Sequence, residues 1–460
     1  MPQTLAEQIL SHAAGRPVTA GENVVVQVDL AMMHDSIAPS IIKILNDELG
    51  AARVHDPERI AVVVDHVAPA STVQNAEHQA NLRRWVREQG IRHFFDVGRG
   101  ISHPVLVEEG LARPGMLIVG SDSHSTGYGA VGAFGTGMGS TDMALALATG
   151  QTWLRVPQTV RVAASGRFRP GVSAKDLGLR VARALGADGA TYQSVEWHGV
   201  DFLPVSDRMT LATLSIEIGG KAGIVPPGQG SGVRGQGSGV REQGIGNREQ
   251  GSESTQHAIR NTQHALDTAD WLQSPGYCPE WLRVEEGAAY SRTIDVDLDA
   301  LEPQISVPHY VDNVVDLSDV GRVAVDVVYI GTCTNGHYAD MAAAARLLGG
   351  RRIAPGLRLL VVPASSEALR RATEDGALAQ LLASGATIGT PGCGACIGRH
   401  MGVLAGGEVC LFTGNRNFRG RMGSPEARIY LGSPEVAAAT ALTGYITHPQ
   451  EVVGSRGVGE

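Results

Sequence analysis

Two separated stretches carry cysteines in a setting suited to iron: Cys333 in GTCTNG, and Cys393 with Cys396 in PGCGACIGRH. Thiolates hold iron–sulfur centres, and three of them leave one corner of a cubic cluster without a protein ligand. An iron with such an open position is a Lewis acid for a substrate oxygen. The C-x2-C spacing alone serves zinc and redox dithiols equally well. Zinc would want a fourth ligand, for which Cys410 and then His400 are the candidates. The glycines Gly392, Gly394 and Gly398 favour a thin turn that lets a bulky inorganic core approach and offers N–H groups to its sulfides. Cys278 and Cys410 otherwise read as packing or surface thiols, since five cysteines so unevenly placed do not make a secreted disulfide scaffold.

Carboxylate and imidazole pairs form the second set. Asp65 precedes His66 in VVVDHVAP, and Asp122 stands near His124 in GSDSHSTGYG, with Ser123 between them. A histidine held by a carboxylate keeps a fixed tautomer and can stay protonated, which suits a general acid. Neighbours on a strand point to opposite faces, so Asp65 and His66 pair only if the strand has ended there. Otherwise each histidine needs another partner, and His103 in RGISHP is available. Arg416 and Arg421 in GNRNFRGRMG, with Asn415, suit a carboxylate ligand, because the guanidinium fork reads a carboxylate bidentately. The phosphate-loop pattern G-x-x-x-x-G-K-[ST] is absent from that segment. Glu217, in the apolar stretch IEIGGKAG, reads equally as a helix-surface residue or an inward ligand-bonding group.

The elements that must position these residues are short β-branched runs, IAVVVDH, GMLIVGSD, VAVDVVYIG and LRLLVVPAS, with helical stretches between them. That alternation predicts an α/β protein of mostly parallel sheets covered by helices on both faces. The candidate residues sit just past the runs, where open α/β sheets bind ligands. We expect a first α/β region at 1–200, a second at 201–320 and a third at 321–460 that holds the three cysteines.

A chain of 460 residues can bury several cores. A formal charge of -9 disfavours nucleic-acid binding by bulk electrostatics. The sequence has no apolar run long enough for a membrane span, and its start, MPQTLAEQIL, does not read as an export signal, so a cytoplasmic protein is expected. Between about 226 and 267 the composition shifts: GQGSGVR occurs twice in succession, EQGIGNR follows, and TQHA appears twice. Its repeated positions carry Gly, Ser and Gln rather than an apolar seam, so it reads as a flexible insertion, with an internal partner-binding segment as the other reading.

Taken in order, VVVDHVAP, GRGISH, GSDSHSTGYGAVGAFGTGMGSTD, DGATYQSVEWHG, DRMT with IEIG, GTCTNG, PGCGACIG, NRNFRGRMG and YLGSP resemble the aconitase superfamily over nearly the whole chain, specifically its large-subunit branch of 3-isopropylmalate dehydratases and homoaconitases. The resemblance implies three α/β/α domains around a central cluster cleft, without the C-terminal swivel domain. It implies that Cys333, Cys393 and Cys396 ligate a [4Fe-4S] cluster whose remaining iron binds substrate. It implies that His66, assisted by Asp65, donates a proton to the leaving hydroxyl, and that Asp122, His103 and His124 bond the water and substrate. Ser123, Asn335, Asn415, Arg416 and Arg421 would contact substrate or cluster, and Glu217 matches an active-site glutamate.

The implied reaction moves a hydroxyl between adjacent carbons of a small hydroxy dicarboxylate by dehydration and rehydration. Because the chain stops soon after YLGSPEVAAATALTGYITHP, a separate small subunit is expected to supply the base, as a heterodimer or heterotetramer. Three departures from the family pattern stand out: His337 where arginine is usual, Thr213 where asparagine is expected, and the glycine-rich insertion. Some relatives bind RNA on losing the cluster, a role the acidic balance disfavours.

Overall fold

The computed structural model describes residues 1–227 and 277–453. The repeats from 228 onward therefore lie outside the described residues. The described chain forms an α/β fold built on three main sheets, which we name by their strands.

The first sheet has five parallel strands in the order His93–Phe95, Ile60–Val63, Leu30–His34, Leu117–Gly120, Phe134–Gly137. Its strands are apolar at successive positions because both faces are covered. Met33, Val62 and Val64 enter one buried cluster with Leu82 and Trp85, while Met32, Ala61 and Val63 enter another with Leu106 and Met209. Chain order reverses between Leu30–His34 and Leu117–Gly120, which makes the carboxyl ends of these strands the switch point where such sheets bind ligands. Asp35 and Asp122 follow those ends, and Asp65 and His66 follow the end of the adjacent strand Ile60–Val63.

The second sheet is also parallel, in the order Ala222–Ile224, Ser194–His198, Thr159–Ser165, Arg292–Asp297. It thus draws strands from both sides of residue 200. Helix Ala174–Leu185 packs on it through Leu177, Val181 and Leu185, and helix Val205–Leu214 leads into the turn Ser215–Ile218 that carries Glu217.

The third sheet has seven strands, in the order Val314–Asp316, Gln304–Ser306, Arg428–Leu431, Val409–Phe412, Val327–Ile330, Arg358–Val361, Thr387–Ile388. It begins with strands that precede residue 321. Its chain order also reverses, between Val409–Phe412 and Val327–Ile330. Cys333 follows the second of these strands, and Asn415 and Arg416 follow the first. The carboxyl ends of the first and third sheets face each other: Ile101 N donates to Ala364 O at 2.8 Å, and Cys393 N donates to Asp65 O at 2.9 Å. Among the described residues no helix is long and apolar enough to cross a membrane.

Candidate active site

The strand Ile60–Val63 ends before Asp65, which frees the next residues from the strand's alternation. Asp65 and His66 consequently face each other, with His66 Nδ1 donating to Asp65 Oδ1 at 2.6 Å. The turn is held by Asp35, whose carboxylate accepts the backbone N–H groups of Asp65, His66 and Val67 at 3.0 to 3.3 Å. Asp65 also accepts the Ser102 N–H at 2.8 Å, which ties it to the helix bearing His103. The other face of the His66 ring stacks on His34, with centroids 3.9 Å apart.

Asp122 is the hub of the second constellation. It accepts from His103 Nε2 at 2.9 Å and from the His124 backbone N–H at 2.7 Å, and lies 3.4 Å from His66 Nε2. His124 Nε2 in turn donates to Glu217 Oε1 at 2.9 Å. Glu217 also holds Arg416, whose Nε lies 2.9 Å from each carboxylate oxygen and whose Nη2 donates to Ser123 Oγ at 3.1 Å. Glu217 therefore faces inward, and through it a residue of the second sheet region joins residues of the first and third.

A cleft collects these ends: its lining includes His66, His103, Asp122, His124, Cys333, Cys393, Cys396 and Arg421, with Ile101, Thr332 and Ile397 as its other members. Arg421 Nη2 reaches Cys396 Sγ at 3.3 Å. Asp65 and Glu217 stand one hydrogen bond behind that lining, through His66 and His124, and Arg416 and Ser123 stand behind Glu217. Asn335 turns its amide nitrogen to Asp340 Oδ1 at 3.1 Å, and Asn415 turns its amide oxygen toward Lys175 at 3.0 Å, so neither is among the lining residues.

The sequence falls in a known family along most of its length. The Aconitase family (aconitate hydratase) matches residues 7–231 and 318–444. A 3-isopropylmalate dehydratase large subunit from Herpetosiphon aurantiacus is 67% identical over 99% of this chain and 98% of its own. A homoaconitase large subunit from Thermus thermophilus is 52% identical over 98% of each chain. A further 3-isopropylmalate dehydratase large subunit, from Deinococcus radiodurans, is 51% identical over 98% of this chain and 94% of its own. The chain belongs to the aconitase family.

As in a hydro-lyase of that family, the cleft sets charge with some care. Burial alone would lower the basicity of His66, but the Cys393 sulfur, once ionised, and the Asp65 and Asp122 carboxylates outweigh it and hold the imidazolium well above the usual range. Both ring nitrogens face carboxylates, so the doubly protonated ring is the form the site matches. Burial would raise Asp122, yet hydrogen bonds from His103, His124 and His66 hold it well below the ordinary carboxylate range. His34 goes the other way: burial, with the nearby His66 charge, lowers it to about 4 and leaves a neutral ring stacked on a charged one.

The residues present suit a metal core. Cys333, Cys393 and Cys396 are free thiols lining one cavity. Burial pushes Cys333 well up and Cys393 up to about 12, so a positive charge must enter before either ionises at neutral pH. Gly392 passes so close to the first sheet that a Cβ there would lie 2.9 Å from Asp65 O. The zinc candidates are elsewhere: His400 Nε2 donates to Pro69 O at 2.7 Å, and Cys410 is buried in an apolar cluster within its strand. Beside the thiols, His34, Asp35, Asp65 and His66 form a buried group whose donor atoms all lie within 4.8 Å of one another, a set able to hold a metal ion.

Two of the departures from the family pattern, His337 and Thr213, lie among the described residues and are accommodated. His337 is buried, caps helix Tyr338–Leu348 and donates from Nε2 to Cys333 O at 3.0 Å, with burial lowering its basicity to about 4. Thr213 meets Thr334, next to Cys333, at 3.3 Å between hydroxyl oxygens. Sequence reasoning missed His34 and Asp35, although both stand at the carboxyl end of a strand, the signal that singled out the others.

Proposed function

We propose that this chain is the large subunit of a 3-isopropylmalate dehydratase (EC 4.2.1.33), a cytoplasmic enzyme that interconverts 2- and 3-isopropylmalate through 2-isopropylmaleate in leucine biosynthesis. The carrying observation is that thiols from two distant loops share one cleft lining with the His66 and Asp122 constellations. In this reading Cys333, Cys393 and Cys396 hold a [4Fe-4S] cluster, and the sheets are the cores of three domains around it. When bound, the cluster supplies a Lewis-acidic iron for the substrate hydroxyl and carboxylate.

The chain's own groups do the rest. His66, kept charged between Asp65 and Asp122, gives its proton to the departing hydroxyl, and Asp65 fixes the ring for that transfer. Asp122, oriented by His103 and His124, accepts hydrogen bonds from water or substrate at the cleft floor. Arg421 and Arg416 receive carboxylates, the latter steadied by Glu217 and Ser123. The carbon acid beside a carboxylate is weak, so its removal needs a base positioned in the closed site. A small subunit brings that base, as the large-subunit names of the relatives support.

Homoaconitase is the second reading, favoured by the Thermus relative. Anaerobic reconstitution with the cognate small subunit, followed by assay of isopropylmalates against homoaconitate, decides between them. Turnover of isopropylmalate is expected; preference for homoaconitate shifts the assignment, and turnover of neither removes both. Salt-dependent RNA affinity of the cluster-free chain without dehydratase activity would instead favour a regulatory role.

A further inference from the structure

One buried cation is used by none of the steps above. Lys175 lies in the first turn of helix Ala174–Leu185 and has no exposed surface. Its Nζ stands 2.6 Å from the Gly414 carbonyl oxygen and 3.0 Å from Asn415 Oδ1. The next residue, Asp176, accepts the Gln304 backbone N–H at 2.8 Å, so the same helix end is fastened to the third sheet at two points. Burying an amine is expensive, and burial lowers the basicity of this one to about 7 against the pull of Glu217 and Asp176. An apolar side chain of that length would fill the space without such a cost. What it would not do is donate.

An amine directed at two oxygens acts as donor to both, whether it carries two protons or three. It therefore selects one face of the Asn415 amide, with the oxygen toward Lys175 and the NH2 group away. That NH2 is buried and finds no partner among the described residues. Buried amide donors are rarely left unpaired. Asn415 is followed directly by Arg416, the residue that Glu217 and Ser123 hold beside the cleft.

We propose that Lys175 is a positioning residue: it sets the Asn415 amide so that its NH2 group is a donor for what the cleft binds, and it holds the Gly414–Arg416 backbone in place. The inference rests on the cluster reading above for the identity of the acceptor, a cluster sulfide or a substrate oxygen. The test compares Lys175→Met, Lys175→Gln, Asn415→Leu and the double variant Lys175→Met with Asn415→Leu. Each is reconstituted anaerobically with the small subunit, its fold checked by circular dichroism. Three quantities are read: turnover, the EPR signal of the reduced cluster, and the rate of iron loss to a chelator.

Misplacing a positioned group costs up to about a hundredfold, so Lys175→Met is expected to lower kcat by roughly ten- to a hundredfold and to speed iron loss, with a smaller change in KM. Lys175→Gln, which still donates, is expected to fall between Met and the parent. Adding Asn415→Leu to Lys175→Met is expected to change kcat and iron loss by less than about threefold, because residues acting through one another are not additive. Losses that multiply in the double variant overturn the proposal, as do parental kcat and iron-loss rate in Lys175→Met. If that variant does not fold, the smaller and equally non-donating Lys175→Leu takes its place in the cycle under the same criteria. A parent that loads a cluster but turns over no hydroxy diacid overturns the proposed function alone, since the iron-loss rates still decide the role of Lys175; a parent that loads no cluster overturns both.

Discussion

Replacing Glu217 by glutamine keeps its shape and removes its charge at the point where three regions of the chain meet. Oε1 accepts from both His124 and Arg416, and Oε2 lies 2.9 Å from Arg416 Nε. In the glutamine the Oε1 bonds can survive, but an NH2 group then faces the guanidinium, donor against donor. Burial would raise the Glu217 carboxyl, yet His124 and Arg416 keep it below its ordinary range, so it is the charged form that the site uses. Breaking a fully buried pair costs about 3–5 kcal/mol. Arg416 keeps a quarter of its side chain exposed and retains Ser123. We therefore take a value below that range, roughly 2–3 kcal/mol, which corresponds to about a thirty- to 150-fold change. Because the lost contacts orient Arg416 and His124, the cost is expected in kcat/KM for isopropylmalate, measured with the reconstituted enzyme, with cluster content unchanged. A Glu217→Gln enzyme within about threefold of the parent would refute the view that this junction positions the site.

His66→Ala removes the group assigned as proton donor, and kcat is expected to fall by about 10²- to 10⁴-fold while cluster absorbance persists; full turnover would show that another group protonates the hydroxyl. Asp176 supplies a pH test away from the thiols. Burial raises its carboxyl from 3.8 to about 7, so the folded chain keeps a proton that the unfolded chain releases. Stability from this group is thus complete below the unfolded value and declines as pH rises through the folded one, by about 4 kcal/mol over the whole window. Asp176→Asn is expected to flatten the fall in melting temperature between roughly pH 4 and 7; an unchanged slope would mean that the carboxyl titrates normally in the folded protein.

Much of this site was legible in the sequence because strand ends gather ligands in α/β sheets. The runs before Asp65, Asp122 and Cys333 are short, apolar for the most part and rich in β-branched residues, which announced buried parallel strands and placed those residues in one crevice. The pairing of Asp65 with His66 was not legible, because it depends on the strand ending at Val63. Glu217 stood at even odds, since nothing in IEIGGKAG says that its neighbours across space are His124 and Arg416. Lys175 carried no signal at all: in a helix of mixed charge it reads as a solvated residue, and only the third sheet lying against that helix end buries it. Sheet membership also followed long-range pairing, as when Thr159–Ser165 joined Arg292–Asp297 across the insertion.

The proposed chemistry requires iron held by Cys333, Cys393 and Cys396 with a position left for substrate. Mössbauer spectra of the anaerobically reconstituted enzyme, recorded with and without isopropylmalate, examine that claim directly. A single iron environment is expected to change on adding the hydroxy acid, and cluster binding is expected to vanish in Cys393→Ser. Spectra indifferent to substrate, or a centre that survives Cys393→Ser intact, would contradict it.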